Sequence, residues 1–221
     1  EDNPMQKKNP GALIDRKEFY RNLARLALPI ALQSLMLAAV AAGDALMLGK
    51  VAQDEMTAVS LATQIQFVQN MFLSAVTGAG AILGAQYWGK GDRRTLEDVF
   101  NMMLRLCGLV SVMFFLACEL MPELLMHIFT HDAALIAIGS SYLRVAGWSY
   151  LLTGISQCYL TVMKVSDHVR PGALISCCAV VLNIVLNAVF IFGLLGAPRM
   201  QARGAALATT ISRVVELGLC L

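Results

Sequence analysis

Two long stretches of this chain contain no charged residue. Residues 57–88 and 171–198 are both uncharged, and each is longer than the roughly 20 apolar residues that cross a bilayer as a helix. A soluble domain could not hide such stretches, because much of any folded surface stays exposed to water. The chain is therefore predicted to be an all-α integral membrane protein.

The composition supports this prediction. Hydrophobic residues make up 57% of the chain and charged residues 14%, with a mean hydropathy of +0.65, whereas soluble chains average about 25% charged residues. The net charge of +2 is too small to indicate nucleic-acid binding, and no motif of that class is present. Membrane lipid is the expected surrounding, and nucleic acid is not an expected partner.

Apolar runs divide the chain into predicted membrane spans. There are six of them, at residues 26–48, 57–88, 99–121, 135–163, 171–198 and 204–221. The first run exceeds the 7–15 apolar residues of a signal peptide, so it is expected to remain in the protein. Residues 1–25 are predicted to form an N-terminal segment outside the membrane, and residues 26–221 a six-helix lobe.

Basic residues predict the orientation. Eleven lie in the N-terminal segment and in the loops after the second and fourth spans, against three on the opposite side. The eleven are Lys7, Lys8, Arg16, Lys17, Arg21, Arg25, Lys90, Arg93, Arg94, Lys164 and Arg170. Since loops rich in Lys and Arg stay in the cytoplasm, the N terminus is predicted to be cytoplasmic, in a multi-pass protein of the plasma (inner) membrane.

Asp44 interrupts the first apolar run. A carboxylate in a membrane helix costs about 2.5–3.5 kcal/mol on insertion scales, so such a residue usually faces a bundle interior or aqueous cavity and binds or moves an ion. The alternative is that Asp44 lies close enough to the membrane surface to reach water. The first reading makes Asp44 a candidate ligand for sodium.

Asn183 and Asn187 are four residues apart and project from one face of the fifth span. Carboxamide oxygens bind hard cations, so these side chains could complete a sodium or proton site with a carboxylate and a hydroxyl. Interhelical hydrogen bonding alone explains them equally well.

Further polar side chains indicate a cavity or additional interhelical bonds. Gln66, Asn70, Ser74 and Thr77 follow helical spacing on the second span. Gln33 on the first span and Gln157 on the fourth are also candidate cavity residues. These residues could line a substrate cavity, or they could form hydrogen bonds between packed helices, and the sequence does not distinguish the two roles.

The remaining reactive residues favour no catalytic chemistry. None of the six cysteines forms a CxxC pair, and each lies in or beside an apolar run, which is typical of buried free thiols. Serine elbows, Walker loops and HExxH motifs are absent from the sequence. The chain is not expected to be an enzyme or to need a cofactor.

Several motifs, taken in order, resemble the multidrug and toxic compound extrusion (MATE) family. They are GDALMLGK at 43–50, AVSLATQI at 58–65, GAQYWGKGD at 84–92, YLRV at 142–145, LNIVLN at 182–187 and GAALATTISR at 204–213. The resemblance extends over nearly everything from Leu28 onward.

The resemblance implies a twelve-helix antiporter of two lobes, which exchanges sodium or protons for amphiphilic organic cations. This chain would supply the N-terminal lobe, with the C-terminal lobe absent from it. The family's ion site in that lobe matches Asp44, Asn183, Asn187 and Thr209 here. Some members carry aspartate where this chain has Asn187, so coupling here would depend on Asp44 alone or on the other lobe.

Three other functions are alternatives to transport by an antiporter. A lipid-linked glycan flippase of the same superfamily should line its cavity with several arginines, and deep basic residues are few here. A membrane-embedded enzyme should show clustered His, Asp or Glu near one interface. A non-transport scaffold would have no need of Asp44.

Overall fold

A computed structural model describes residues 52–166, 169–193 and 198–221, together with isolated helical positions between Tyr20 and Gly49. Across this part of the chain every regular element is an α-helix. We number them α1 (Gln53–Lys90), α2 (Arg93–Leu120), α3 (Pro122–His127), α4 (Ala133–Val165), α5 (Val169–Phe192) and α6 (Gln201–Cys220). Three of these helices, α1, α2 and α5, are long and apolar enough to cross a membrane.

The predicted spans from 57 to 221 overlap α1, α2, α4, α5 and α6. The first predicted span, with Gln33 and Asp44, lies outside the described residues apart from isolated positions. The predicted fifth span continues to residue 198, whereas α5 ends at Phe192. It stops there because Gly193 adopts the left-handed conformation, with a φ of 71°, which glycine tolerates and a continuing helix does not.

Local capping separates α1 from α2. Gly91 has a φ of 76°, and its N–H donates to the carbonyl oxygen of Trp88. Asp92 then begins α2, because its carboxylate accepts hydrogen bonds from the N–H of Thr95 at 3.1 Å and from the hydroxyl of Thr95 at 2.6 Å. These bonds lower the pKa of Asp92 below its ordinary value of 3.8.

Helix α4 lies at the centre of the lobe and packs against α1, α2, α3 and α6, while α5 packs mainly on α6. Glycines on one face of α4 allow the close approach of α2. A methyl group at Gly147 would lie 3.2 Å from Cys118 Cβ, and one at Gly154 would lie 3.0 Å from the carbonyl oxygen of Cys107. Small residues of this kind are what bring membrane helices into contact.

The outer face of α2 carries exposed apolar side chains at helical spacing. They are Met102, Leu106, Leu109, Met113, Leu116 and Leu120. Polar residues on this face would be favoured in water, so the apolar stripe indicates a surface that contacts lipid or another apolar element.

Candidate functional site

Two helices share a buried chain of polar side chains. Asn187 Nδ2 donates to Asn183 Oδ1 at 3.2 Å within α5, and Asn183 Nδ2 donates across to Thr209 Oγ1 of α6 at 3.3 Å. The Thr209 hydroxyl in turn donates to the Ala205 carbonyl at 3.0 Å. Asn187 is fully buried and Asn183 nearly so. The structure thus joins three of the four predicted ion-site residues; the fourth, Asp44, lies outside the residues that it describes.

Small residues on α6 bring the two helices close enough for this contact. A methyl group added at Gly204 would lie 2.9 Å from both the Cβ and the carbonyl oxygen of Phe190. The next positions on α6 include Ala205, Ala206 and Ala208, which are buried. Because no larger side chain separates the backbones, the amide of Asn183 reaches Thr209 directly.

These groups offer oxygen atoms and no charge. A carboxamide oxygen has two lone pairs, so Asn183 Oδ1 can accept its hydrogen bond and still contact a cation. Neutral oxygens suit a hard cation such as sodium, but without a carboxylate they bind it weakly. No cluster of three or more His, Cys, Asp or Glu side chains that could hold a metal lies within the described ranges.

The predicted cavity residues lie at intermediate depth. Gln66 and Asn70 on α1 and Gln157 on α4 are half-buried, and Gln33 falls outside the described residues. The Asn70 Oδ1 atom is buried and has no hydrogen-bond partner among the residues described. Ser74, predicted to lie on the same polar face, is exposed, and its hydroxyl donates to the Met71 carbonyl of its own helix at 2.9 Å.

Gln69 is a polar residue whose position the sequence reasoning missed. It is fully buried, and its Nε2 donates to the Tyr150 carbonyl of α4 at 2.9 Å and reaches Ser111 Oγ of α2 at 3.5 Å. Its spacing in the sequence could have predicted this burial, because Gln69 lies on the same face of α1 as the buried residues Ala62, Ile65 and Leu73. A polar side chain on such a face must bond across a helix interface, and Gln69 joins three helices.

Near the end of α6 lies a buried ion pair. Arg213 and Glu216 lie at i, i+3 on this helix, and the distance between Arg213 Nη1 and Glu216 Oε2 is 2.6 Å. The Glu216 side chain is 3% exposed and that of Arg213 is 26% exposed. Lys164 at the end of α4 also interacts electrostatically with Glu216.

Comparison with known sequences decides the family. The sequence profile of the MatE family matches residues 29–189. The chain belongs to the MatE family. The resemblance seen in the motifs of residues 43–213 is thereby confirmed.

Relatives of this family are named as drug-resistance proteins. A probable multidrug resistance protein NorM of Bradyrhizobium diazoefficiens is 29% identical over 91% of this chain and 42% of its own length. The multidrug resistance protein MdtK of Yersinia enterocolitica is 26% identical over 86% of this chain and 41% of its own length. This chain therefore spans less than half the length of these relatives.

Solved structures of MATE proteins have the same fold. A multidrug resistance MATE family transporter of the MOP superfamily, in an outward-facing conformation, superposes with a TM-score of 0.79 at 20% identity, covering 89% of this chain and 43% of the other. A MOP superfamily transporter from Pyrococcus furiosus gives the same TM-score of 0.79. The predicted fold class, one helical lobe of a MATE-type membrane protein, is confirmed by this likeness.

Proposed function

We propose that this chain is one lobe of a secondary antiporter that exports amphiphilic organic cations in exchange for sodium ions or protons. Family membership supports transport rather than catalysis, and relatives named for multidrug resistance support drugs as the substrate class. The observation that carries the proposal is the buried polar chain of Asn183, Asn187 and Thr209 between α5 and α6.

In this proposal Asp44 supplies the charge that the polar chain lacks. Desolvation raises the free energy of an ionised carboxylate in an apolar bundle, so a cation or proton that neutralises it binds favourably. The oxygens of Asn183 and Thr209 add dipoles directed at the same ion. Occupation of the site then favours one arrangement of the two lobes over the other, which couples ion entry to export of the organic cation.

The proposed orientation is supported by the ends of three helices. A methyl group at Gly84 would lie 3.2 Å from Leu96 Cδ1 and 3.3 Å from Val165 Cγ1, so the end of α1, the start of α2 and the end of α4 meet on one side. Basic residues cluster there, namely Lys90, Arg93, Arg94 and Lys164. The positive-inside rule supports a cytoplasmic position for that side, and the plasma membrane is the location that we propose for the protein.

The first experiment measures ion binding by the chain itself. Thermal unfolding in detergent is followed with increasing sodium at fixed ionic strength, and again with decreasing pH. A ligand at 100 times its Kd adds about 2.7 kcal/mol to the free energy of unfolding. Asp44→Asn should abolish the sodium or proton dependence, while Asn187→Ala should weaken it and leave it detectable.

A matched control is available on α2, where Asn101 is exposed. Asn101→Ala should leave ion-dependent stabilisation unchanged, since it removes a carboxamide outside the site. Transport is then measured in liposomes that contain this lobe together with a second lobe, with a fluorescent organic cation and an imposed ion gradient. Export by Asp44→Asn at the parental rate with unaltered ion dependence would show that this lobe does not hold the coupling site.

A further inference from the structure

The first turn of α6 is capped by a residue of another helix. The N–H groups at the start of a helix have no partner within it, and the side chain of the preceding residue usually accepts from one of them. Met200 stands at that position, and its side chain makes no such bond. Instead, the Ala202 N–H donates to Glu55 Oε2 of α1 at 3.0 Å. A carboxylate 147 residues earlier in the chain therefore caps α6.

A carboxylate suits this position for two reasons. The N-terminal end of a helix carries a partial positive charge, which favours an anionic acceptor. A hydrogen bond to an ionised acceptor is also stronger than one between neutral groups. Ala202 is buried, so removal of the Glu55 carboxylate would take the acceptor away from a buried N–H, and that loss destabilises the start of the helix.

The backbone at this helix start is strained. Gln201, the first residue of α6, has a φ of 49°, in the left-handed region that residues other than glycine seldom adopt. Such a conformation persists only where the surrounding contacts hold it. The Met200 N–H donates to the Phe190 carbonyl of α5 at 3.0 Å, and Arg203 Nε donates to Ser141 Oγ of α4. With the cap from α1, three helices therefore hold the first turn of α6.

The position of this turn determines where Thr209 lies. Thr209 follows Ala202 by seven residues, or about two turns, so the two residues lie on nearly the same face of α6. Val59, one turn after Glu55 on α1, packs in the same buried cluster as Ala202. The bond from Asn183 Nδ2 to Thr209 Oγ1 is 3.3 Å long, which exceeds the usual range of roughly 2.7–3.2 Å. A small shift or rotation of α6 would therefore break it.

We propose that Glu55 is a positioning residue for the buried polar chain of Asn183, Asn187 and Thr209. Its carboxylate fixes the start of α6 against α1, and through the helix it keeps the Thr209 hydroxyl within reach of Asn183. The consequence for ion binding rests on the proposed function, whereas the contact between the two side chains can be measured without any ion.

The first measurement is made in the absence of the coupling ion. The chain is labelled with 15N in its asparagine side chains and held in detergent, and Asn183→Ala identifies the Asn183 amide resonance. Thr209→Val removes the acceptor at nearly constant shape, so its spectrum gives the position of this resonance when the bond is broken. Glu55→Ala should move the resonance at least half way to that position. The exchange protection of the Ala202 amide should fall about fivefold, as expected for the loss of a helix cap.

Two variants separate the hydrogen bond from other effects of substitution. Glu55→Gln keeps a side-chain oxygen that can accept from the Ala202 N–H, so the Asn183 resonance should stay near its parental position. Asp54→Ala removes an exposed carboxylate from the same turn of α1 and should change neither reading. Elution of each variant as a single species on size exclusion shows that the chain remains folded.

Sodium and proton affinities are then measured on the same variants by thermal unfolding. Glu55→Ala should raise the apparent Kd of the stabilising ion about two- to fivefold, because a smaller fraction of the chain presents the assembled site, and Glu55→Gln should restore it. An Asn183 resonance that stays in place in Glu55→Ala or in Thr209→Val would overturn the proposal. Displacement of this resonance in a chain that neither sodium nor acid stabilises would support the positioning role and count against the proposed ion site.

Discussion

Gly154 of α4 provides a sharp test of how the lobe is held together. Alanine at this position places a methyl group against Ser111 Oγ and 3.0 Å from the Cys107 carbonyl oxygen, and a backbone atom cannot move aside as a flexible side chain can. Overpacking of this kind costs about 1–3 kcal/mol. Alanine also gains about 0.5–1 kcal/mol over glycine in a helix. The difference is a net loss of up to about 2.5 kcal/mol in the free energy of unfolding, and because the methyl group meets a backbone atom we expect a value above the middle of that range.

Gly108 on α2 is the matched control. A methyl group there meets no described atom within 4 Å, so Gly108→Ala should gain helix stability without a clash. The two substitutions are chemically identical and differ only in what the methyl group meets. They are therefore expected to change the stability in opposite directions.

The assay is unfolding by SDS in mixed micelles, followed by tryptophan fluorescence. The Trp148 ring of α4 packs 4.9 Å from the Phe115 ring of α2, between centroids, so its emission reports separation of these two helices. Equal shifts of the unfolding midpoint for Gly154→Ala and Gly108→Ala would refute the view that close α2–α4 packing stabilises the lobe.

Three further predictions concern buried or capping polar groups. Gln69→Met should lower the free energy of unfolding by about 1 kcal/mol by removing its hydrogen bond to the Tyr150 carbonyl. Gln64→Met, on the exposed face, should leave the free energy of unfolding unchanged. A similar loss in both variants would contradict a stabilising role for the Gln69 hydrogen bond. Glu216→Gln should cost about 1–3 kcal/mol, because Arg213 loses a buried partner; a stability unchanged in the same micelle titration would count against the pair. Since the folded pKa of Asp92 is lowered, its contribution to helix capping is present above pH 3.8 and is lost as pH falls through the lowered pKa. The protection factor of the Thr95 amide, which compares its hydrogen exchange with that of an unprotected amide at the same pH, should fall in that range, and Asp92→Asn should remove the dependence. The same acid response in Asp92→Asn would assign it to another group.

Much of the fold was predictable because the relevant signals are local. The uncharged runs at 57–88 and 171–198 predict long apolar helices, and α1 and α5 occupy them. Gly91 and Asp92 predict a break between helices because glycine ends a helix and aspartate begins one. The ion pair of Arg213 and Glu216 was predictable for the same reason, since its two members lie on one helix at i, i+3.

The candidate site was predictable only in part. The spacing of Asn183 and Asn187 placed both on one face, and the resemblance to the MATE family added Thr209. Neither showed that Asn183 bonds Thr209 across the helices, because that contact requires Gly204 to bring α6 against Phe190. The sequence pattern left coordination and packing equally open for the two amides.

The sequence by itself determined that this is a helical membrane protein and where the long described helices after residue 52 lie, since hydropathy and capping act within one segment. Only the tertiary structure decided which faces meet. It directed Gln69 at the Tyr150 carbonyl and bonded Asn183 to Thr209 across α5 and α6. Lipid tails are as apolar as leucine, so hydrophobicity does not select the face that one membrane helix presents to another. That choice depends on small residues such as Gly154 and on polar bonds between helices, which are properties of pairs that no single helix displays.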